Sequence, residues 1–162
     1  MTSEWATVVL IGIGATLLMD MWALLLKALG VPTLNYAMVG RWAGHLPRGR
    51  WSHTAISTAA PIPGELALGW TIHYAVGIAF AAVLPAIWGA GWLENPTWGP
   101  ALTVGVSTVV FPWCVLQPAL GAGIAGSRTA TPIKNALRSL ATHAVFGSGL
   151  YLSAAVLAHW KA

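Results

Sequence analysis

Charge is scarce in this 162-residue chain: Asp, Glu, Lys and Arg together make up 7% of it, against about 25% in a water-soluble domain. A surface so poor in charge cannot be wetted on all sides, which excludes an ordinary soluble globule. Cysteine is limited to Cys114, so no intrachain disulfide can form. With four acidic residues in all, the chain shows no paired carboxylates, and no nucleophile with a general base beside it. An enzyme is therefore the least expected class. A net charge of +4 gathered in a few hydrophilic connections gives no basic face for tracking phosphates, so no nucleic-acid partner is expected. The opening Met1-Thr2-Ser3-Glu4 lacks the positive segment of a secretion signal, and the apolar run behind it is too long for one. That run is expected to be a retained span.

Hydrophobic residues, by contrast, make up 57% of the chain and Trp occurs ten times. A helix rises 1.5 Å per residue, so a bilayer core takes roughly 20 apolar residues. Stretches of that kind run from Trp5 to Gly30, Glu65 to Trp92, Trp98 to Ala125 and Pro132 to Trp160. The expected fold class is all-α, an integral membrane four-helix bundle forming a single transmembrane domain over residues 1–162. Lys and Arg are retained on the cytoplasmic side during insertion. Arg41, Arg48 and Arg50 fall in the connection between spans one and two; Arg128, Lys134 and Arg138 flank the one between spans three and four; Lys27 ends span one. Glu4, Glu94 and Lys161 lie at the opposite ends. Both termini are thus expected in the periplasm of a bacterial inner membrane. Trp positions agree, with Trp5, Trp92, Trp98 and Trp160 at the outer boundary and Trp42, Trp51 and Trp70 at the inner one.

The long cytoplasmic connection has two readings. In one, Thr33 caps an interfacial helix carrying Leu34, Tyr36, Met38, Val39 and Trp42 on the leaflet surface; in the other it is an irregular loop rich in Gly and Pro. The two halves also echo one another. Ser52-His53-Thr54-Ala55 matches Ser127-Arg128-Thr129-Ala130, Pro61-Ile62 matches Pro132-Ile133, and His73-Tyr74-Ala75-Val76-Gly77 matches His143-Ala144-Val145-Phe146-Gly147. Matching order in both halves implies two parallel two-helix repeats.

Ionisable groups in hydrocarbon are costly, so each needs a partner or a cavity. Asp20, His73, Gln117 and His143 come one from each span, at depths of roughly 12 to 16 Å from the cytoplasmic ends. Cys114 lies one turn from Gln117. Such an intramembrane polar site is open to three chemistries: hydrogen-bonded glue between helices, proton or ion handling, or ligation of a metal or haem by His73, His143 and Asp20. No ligand spacing within a single helix singles out a metal, and the cofactor is left unknown. Pro85, Pro112 and Pro118 interrupt spans two and three, which suits either a broken-helix transport site or simple packing. On the cytoplasmic side, a basic loop of Arg41, His45, Arg48, Arg50, His53 and Arg128 either holds anionic headgroups or phosphate, or is a solvated loop that fixes topology. Gly121, Gly123 and Gly126 spell a GxGxxG string. They end an apolar span, where spacing with Ala119 and Ala125 suits close helix approach better than nucleotide binding.

At Gly14-Ala15-Thr16 through Asp20-Met21-Trp22, Leu34-Asn35-Tyr36 to Val39-Gly40-Arg41-Trp42-Ala43-Gly44-His45, His73-Tyr74, and Gly121-Ala122-Gly123-Ile124-Ala125 to Ser127-Arg128-Thr129, the chain resembles the bacterial polytopic membrane family called domain of unknown function 2938. The resemblance runs over nearly the whole chain. It implies a small polytopic inner-membrane protein and brings no activity, substrate or cofactor. The residues leave three functions in play: a small transport or permeation module working as a homo-oligomer in the lipid bilayer, a haem- or metal-binding redox protein, and a membrane scaffold or assembly subunit. The topology itself is testable: alkaline phosphatase fused separately to each terminus is expected to be active in both fusions, and an inactive fusion at either end would refute the assigned orientation.

Overall fold

A computed structural model describes residues 2–161, without the side chains of Thr2, Ser3 and Lys161. Met1 and Ala162, the ends of the expected domain, and the Lys161 charge used to assign sidedness lie outside the described residues. All regular structure among the described residues is helical. The helices are α1 (Thr2–Ala28), α2 (Tyr36–His45), α3 (Glu65–Trp88), α4 (Trp98–Ser107), α5 (Gln117–Leu120) and α6 (Pro132–Lys161). Four helical stretches, Glu4–Ala28, Glu65–Trp88, Trp98–Leu120 and Pro132–Trp160, are long and apolar enough to cross a membrane.

Three spans stop short of their expected ends, each at a glycine. Gly30, Gly89 and Gly121 have φ of +75°, +81° and +100°, the left-handed region that ends helices and that side chains with a Cβ avoid. Consequently Trp92 sits in the 3-10 turn Ala90–Leu93. At 6% exposure it packs in the core. The third span is not one α-helix either. After α4 the chain passes through a π-helical turn, Pro112–Leu116, before α5. Pro112 has no N–H and its ring crowds the preceding turn, and the Gln117 N–H reaches the Pro112 carbonyl five residues back. Pro85, in contrast, lies inside α3 without breaking it.

The connection after α1 forms a true helix. Asn35, not Thr33, is the cap of α2, its side chain accepting from the Ala37 N–H at 3.0 Å. The GxGxxG glycines lie in the loop after α5, with φ of +100°, +77° and +74° at Gly121, Gly123 and Gly126. Turn geometry, and not helix packing, is what these positions need.

The chain folds as two compact units. The first draws on the segments up to Thr33, Tyr74–Thr108 and from Ala141 onward. Its core joins Val8, Ile11 and Ala15 of α1, Ala81 and Leu84 of α3, Ala101 and Val104 of α4, and Phe146, Leu150 and Ala154 of α6. Small residues bring these helices close. A Cβ on Gly12 would strike Ile78 at 2.5 Å, and one on Gly77 would collide with the Thr16 hydroxyl. In the other helix pair, a Cβ on Gly105 would collide with Gly147, and one on Gly147 would meet the Ala101 carbonyl at 3.0 Å. Thus the Gly of each repeated His-x-x-x-Gly string packs against the preceding span of its own half, α1 or α4. The outward side of α1 is also apolar: Leu10, Leu17, Met21, Leu24 and Leu25 are all about half exposed or more. A helix greasy on every side has no water-facing stripe.

The second unit comprises Leu34–His73 and Val109–Leu140. Here α2 lies against the start of α3 at a glycine crossing: a Cβ on Gly40 would collide with the Glu65 carbonyl, and one on Gly69 with the Tyr36 carbonyl. Gly121 sits equally close to the Thr54 carbonyl, and the His53 N–H donates to the Ala119 carbonyl at 2.9 Å. These contacts hold the segment after α2 on the end of α5.

Gly147→Val is expected to lower the detergent melting temperature by the equivalent of roughly 1 to 3 kcal/mol, the usual cost of overpacking. Gly99→Ala, where nothing lies within 4 Å, is expected to leave it unchanged or raised; equal losses in both variants would contradict the crossing.

Candidate functional site

Three of the polar residues expected in the membrane layer, Asp20, His73 and His143, meet partners that spacing alone did not supply. In the first unit the Tyr74 hydroxyl donates to a carboxylate oxygen of Asp20 at 2.9 Å, joining α3 to α1. His143 of α6 meets Thr108, with 2.8 Å between its Nδ1 and the hydroxyl oxygen. The Thr108 proton goes to the Gly105 carbonyl at 2.6 Å, so the hydroxyl accepts from His143 Nδ1–H.

His73 belongs to the second unit. Its Nε2 lies 2.9 Å from the Tyr36 hydroxyl, and the two rings stack at 4.4 Å between centroids. Trp70 packs on the same tyrosine at 4.3 Å, completing an aromatic group at the start of α2. His73 and Tyr74 are consecutive on α3, so their side chains leave the helix about 100° apart and serve different partners. Gln117, at the start of α5, has its Oε1 buried without a hydrogen-bond partner. Cys114 is exposed on the π-helical turn. The five-residue step of that turn rotates the side chains away from α-helical register. Among the described residues, no group of three or more His, Cys, Asp or Glu side chains is placed to hold a metal ion.

The basic loop divides in two. Arg48, Arg50 and Arg128 are exposed, whereas Arg41 and His45 are buried at 9% and 2% exposure, a correction to the reading of all six residues as one solvated loop. Arg41 reaches the Glu65 carboxylate through Nε at 2.8 Å and Nη2 at 2.7 Å, a two-point ion pair. Its Nη1 donates to the carbonyls of Ser57 and Ala59 at 3.3 and 3.1 Å. The hydrogen bonds that Arg41 donates to Glu65 raise the guanidinium above its ordinary value, opposed in part by desolvation. Glu65 in turn accepts from the Ile62 N–H at 3.1 Å. One carboxylate therefore closes the entry into α3 and gathers α2 and the 56–59 carbonyls around one cation.

His45 Nε2–H donates to the Ala60 carbonyl at 3.0 Å, and its Nδ1 faces His53 Nε2 at 2.9 Å. With both rings neutral, His53 donates to His45 and keeps a bare Nδ1, which is buried without a partner. The sequence pattern did not single out Glu65, Tyr36, Trp70, Tyr74 or Thr108 as polar-site partners. For two of them a local signal existed: Glu65 opens an apolar span with Arg41 in the only connection long enough to fold back on it, and Tyr74 follows His73 in a repeat whose second copy has Ala144 at that position.

Helices of this length and apolarity, with their polar side chains bonded across helices, define an all-α protein of the polytopic membrane class. The chain belongs to the family described as protein of unknown function (DUF2938), which matches residues 9–157. No curated protein and no solved structure matches it.

The ion pair makes a direct prediction. Arg41→Gln and Glu65→Gln are each expected to lower the melting temperature, because each leaves a charge with no counter-ion, while the double variant is expected to be no worse than the weaker single one. Additive losses would show that the two side chains do not act as a pair.

Proposed function

We propose that the protein is a small transport or permeation module of the bacterial inner membrane, working as a homo-oligomer, with Asp20 and Tyr74 as its proton- or cation-handling pair. The observation that carries this reading is a carboxylate within the 25-residue apolar stretch Glu4–Ala28, bonded to a hydroxyl from another span. A carboxylate in hydrocarbon costs free energy in either protonation state unless it is paired. Apolar or hydroxyl side chains would join α1 to α3 at lower cost, so an acid retained there is suited to binding and releasing a positive charge. Tyr74 can donate to the carboxylate and accept a proton in turn. A helix broken by Pro112 and the π-helical turn adds support, since irregular backbone inside a span accompanies polar pathways. Four spans enclose little interior, which favours a pathway completed by further copies.

A scaffold or assembly subunit is the second reading, favoured by the His73–Tyr36 and His143–Thr108 bonds, which have the form of interhelical glue.

Proteoliposomes loaded with a pH-sensitive dye separate the two. Wild type is expected to dissipate an imposed proton gradient faster than empty vesicles, Asp20→Asn to fall to the empty-vesicle rate, and Tyr74→Phe to lie between them. Folded Asp20→Asn protein with wild-type flux removes Asp20 from the mechanism. Wild-type protein no faster than empty vesicles, with a lowered melting temperature in His73→Gln and His143→Gln, leaves the scaffold reading.

A further inference from the structure

The two units differ in charge. The second holds Arg41, Arg48, Arg50, Arg128, Lys134 and Arg138 against a single acid, Glu65. That acid is consumed by Arg41 at 2.7 Å, so the other five cations have no carboxylate within their own unit. Arg48, Arg50, Arg128 and Lys134 are exposed.

The densest part of this surplus is the turn that follows α2. Leu46–Arg48 form a single 3-10 turn begun by Pro47 and closed by Gly49 at φ +74°. Its base is fixed from three directions: Gly49 N–H donates to the Leu46 carbonyl at 2.9 Å, the Trp42 indole N–H to the Trp51 carbonyl at 2.9 Å, and the buried His45 ring to Ala60. Against that base the Arg48, Arg50 and Trp51 side chains face outward, Trp51 at 69% exposure.

We propose that this Arg48–Trp51 turn is a binding site for the phosphate of anionic lipid headgroups. Two guanidinium groups on a short rigid turn match a phosphodiester, whose oxygens accept paired N–H donors. An adjacent exposed indole suits the boundary where headgroup meets acyl chain. Uncompensated positive charge elsewhere in the unit adds long-range attraction to a negatively charged leaflet. The site does not depend on any transport activity, since it uses none of Asp20, Tyr74, His73 or His143.

Native mass spectrometry of the full chain released from detergent, titrated with phosphatidylglycerol or phosphatidylcholine, tests it. Wild type is expected to retain phosphatidylglycerol in preference to phosphatidylcholine. Arg48→Gln/Arg50→Gln is expected to weaken phosphatidylglycerol binding on the order of fivefold per arginine removed, with unchanged helical circular dichroism, and Arg48→Lys/Arg50→Lys to retain most of it. Equal binding of the two lipids by wild type, or wild-type phosphatidylglycerol binding by the Gln double variant, would overturn the proposal. Complete displacement of the lipid by millimolar inorganic phosphate would also overturn it, because the turn would then be a small-anion site.

Discussion

Hydrocarbon offers no hydrogen bonds, and that constraint organises this molecule. With so few charges the helices cannot present a water-facing stripe, so a polar side chain along a span is cheapest where the protein itself supplies its partner. Thr16 returns its proton to the Gly12 carbonyl at 2.7 Å, Thr71 to Ala67 at 2.9 Å and Ser148 to Ala144 at 3.0 Å, each one turn back along its own helix. Larger polar groups cannot fold back in this way and reach another helix instead. Asp20 takes Tyr74, His73 takes Tyr36 and His143 takes Thr108. Such bonds tie helices together and, where the group is ionisable, place chemistry inside the membrane. A single physical requirement thus underlies both the scaffold-like character of the bundle and its candidate site.

Glycine meets the same constraint from the side of packing. Helices in lipid gain nothing by hiding apolar surface from one another, so close van der Waals approach has to do the work. Gly12, Gly77, Gly105 and Gly147 supply that approach in the first unit, and Gly40 and Gly69 supply it in the second. The second crossing also places Arg41 beside Glu65, where the guanidinium collects loop carbonyls that would otherwise be left without donors. With Arg41 neutralised internally, four of the five remaining cations of that unit, Arg48, Arg50, Arg128 and Lys134, are exposed.

Much of this was legible in the sequence, since length and apolarity are what make a span. Four long runs, the hydrophilic connection after the first and the echo between the halves are all visible without coordinates. Partner choice was not visible. Tyr74, Thr108, Tyr36 and Glu65 lie 24 to 54 residues from the groups they bond, and no periodicity within one helix reports on such pairs. A tryptophan at the end of an apolar run looks alike whether it is exposed or packs into the core; after the left-handed Gly89, Trp92 is buried. Arg41 misled because a basic residue in a hydrophilic connection resembles a topology signal, and its carboxylate partner opens the next span 24 residues on. Cys114 lies on a π-helical turn that begins at Pro112, and counting by α-helical steps does not give the direction of a side chain there.

The account stands on lipid being the solvent around the third span, and the single cysteine of the chain allows a direct reading. Cys114 is exposed, so a nitroxide attached there in reconstituted protein reports what touches that surface. Collision with molecular oxygen, which concentrates in hydrocarbon, is predicted to be high, and collision with a water-soluble nickel chelate low. Ready access of the chelate together with poor access of oxygen would contradict the claim that this face lies in the membrane.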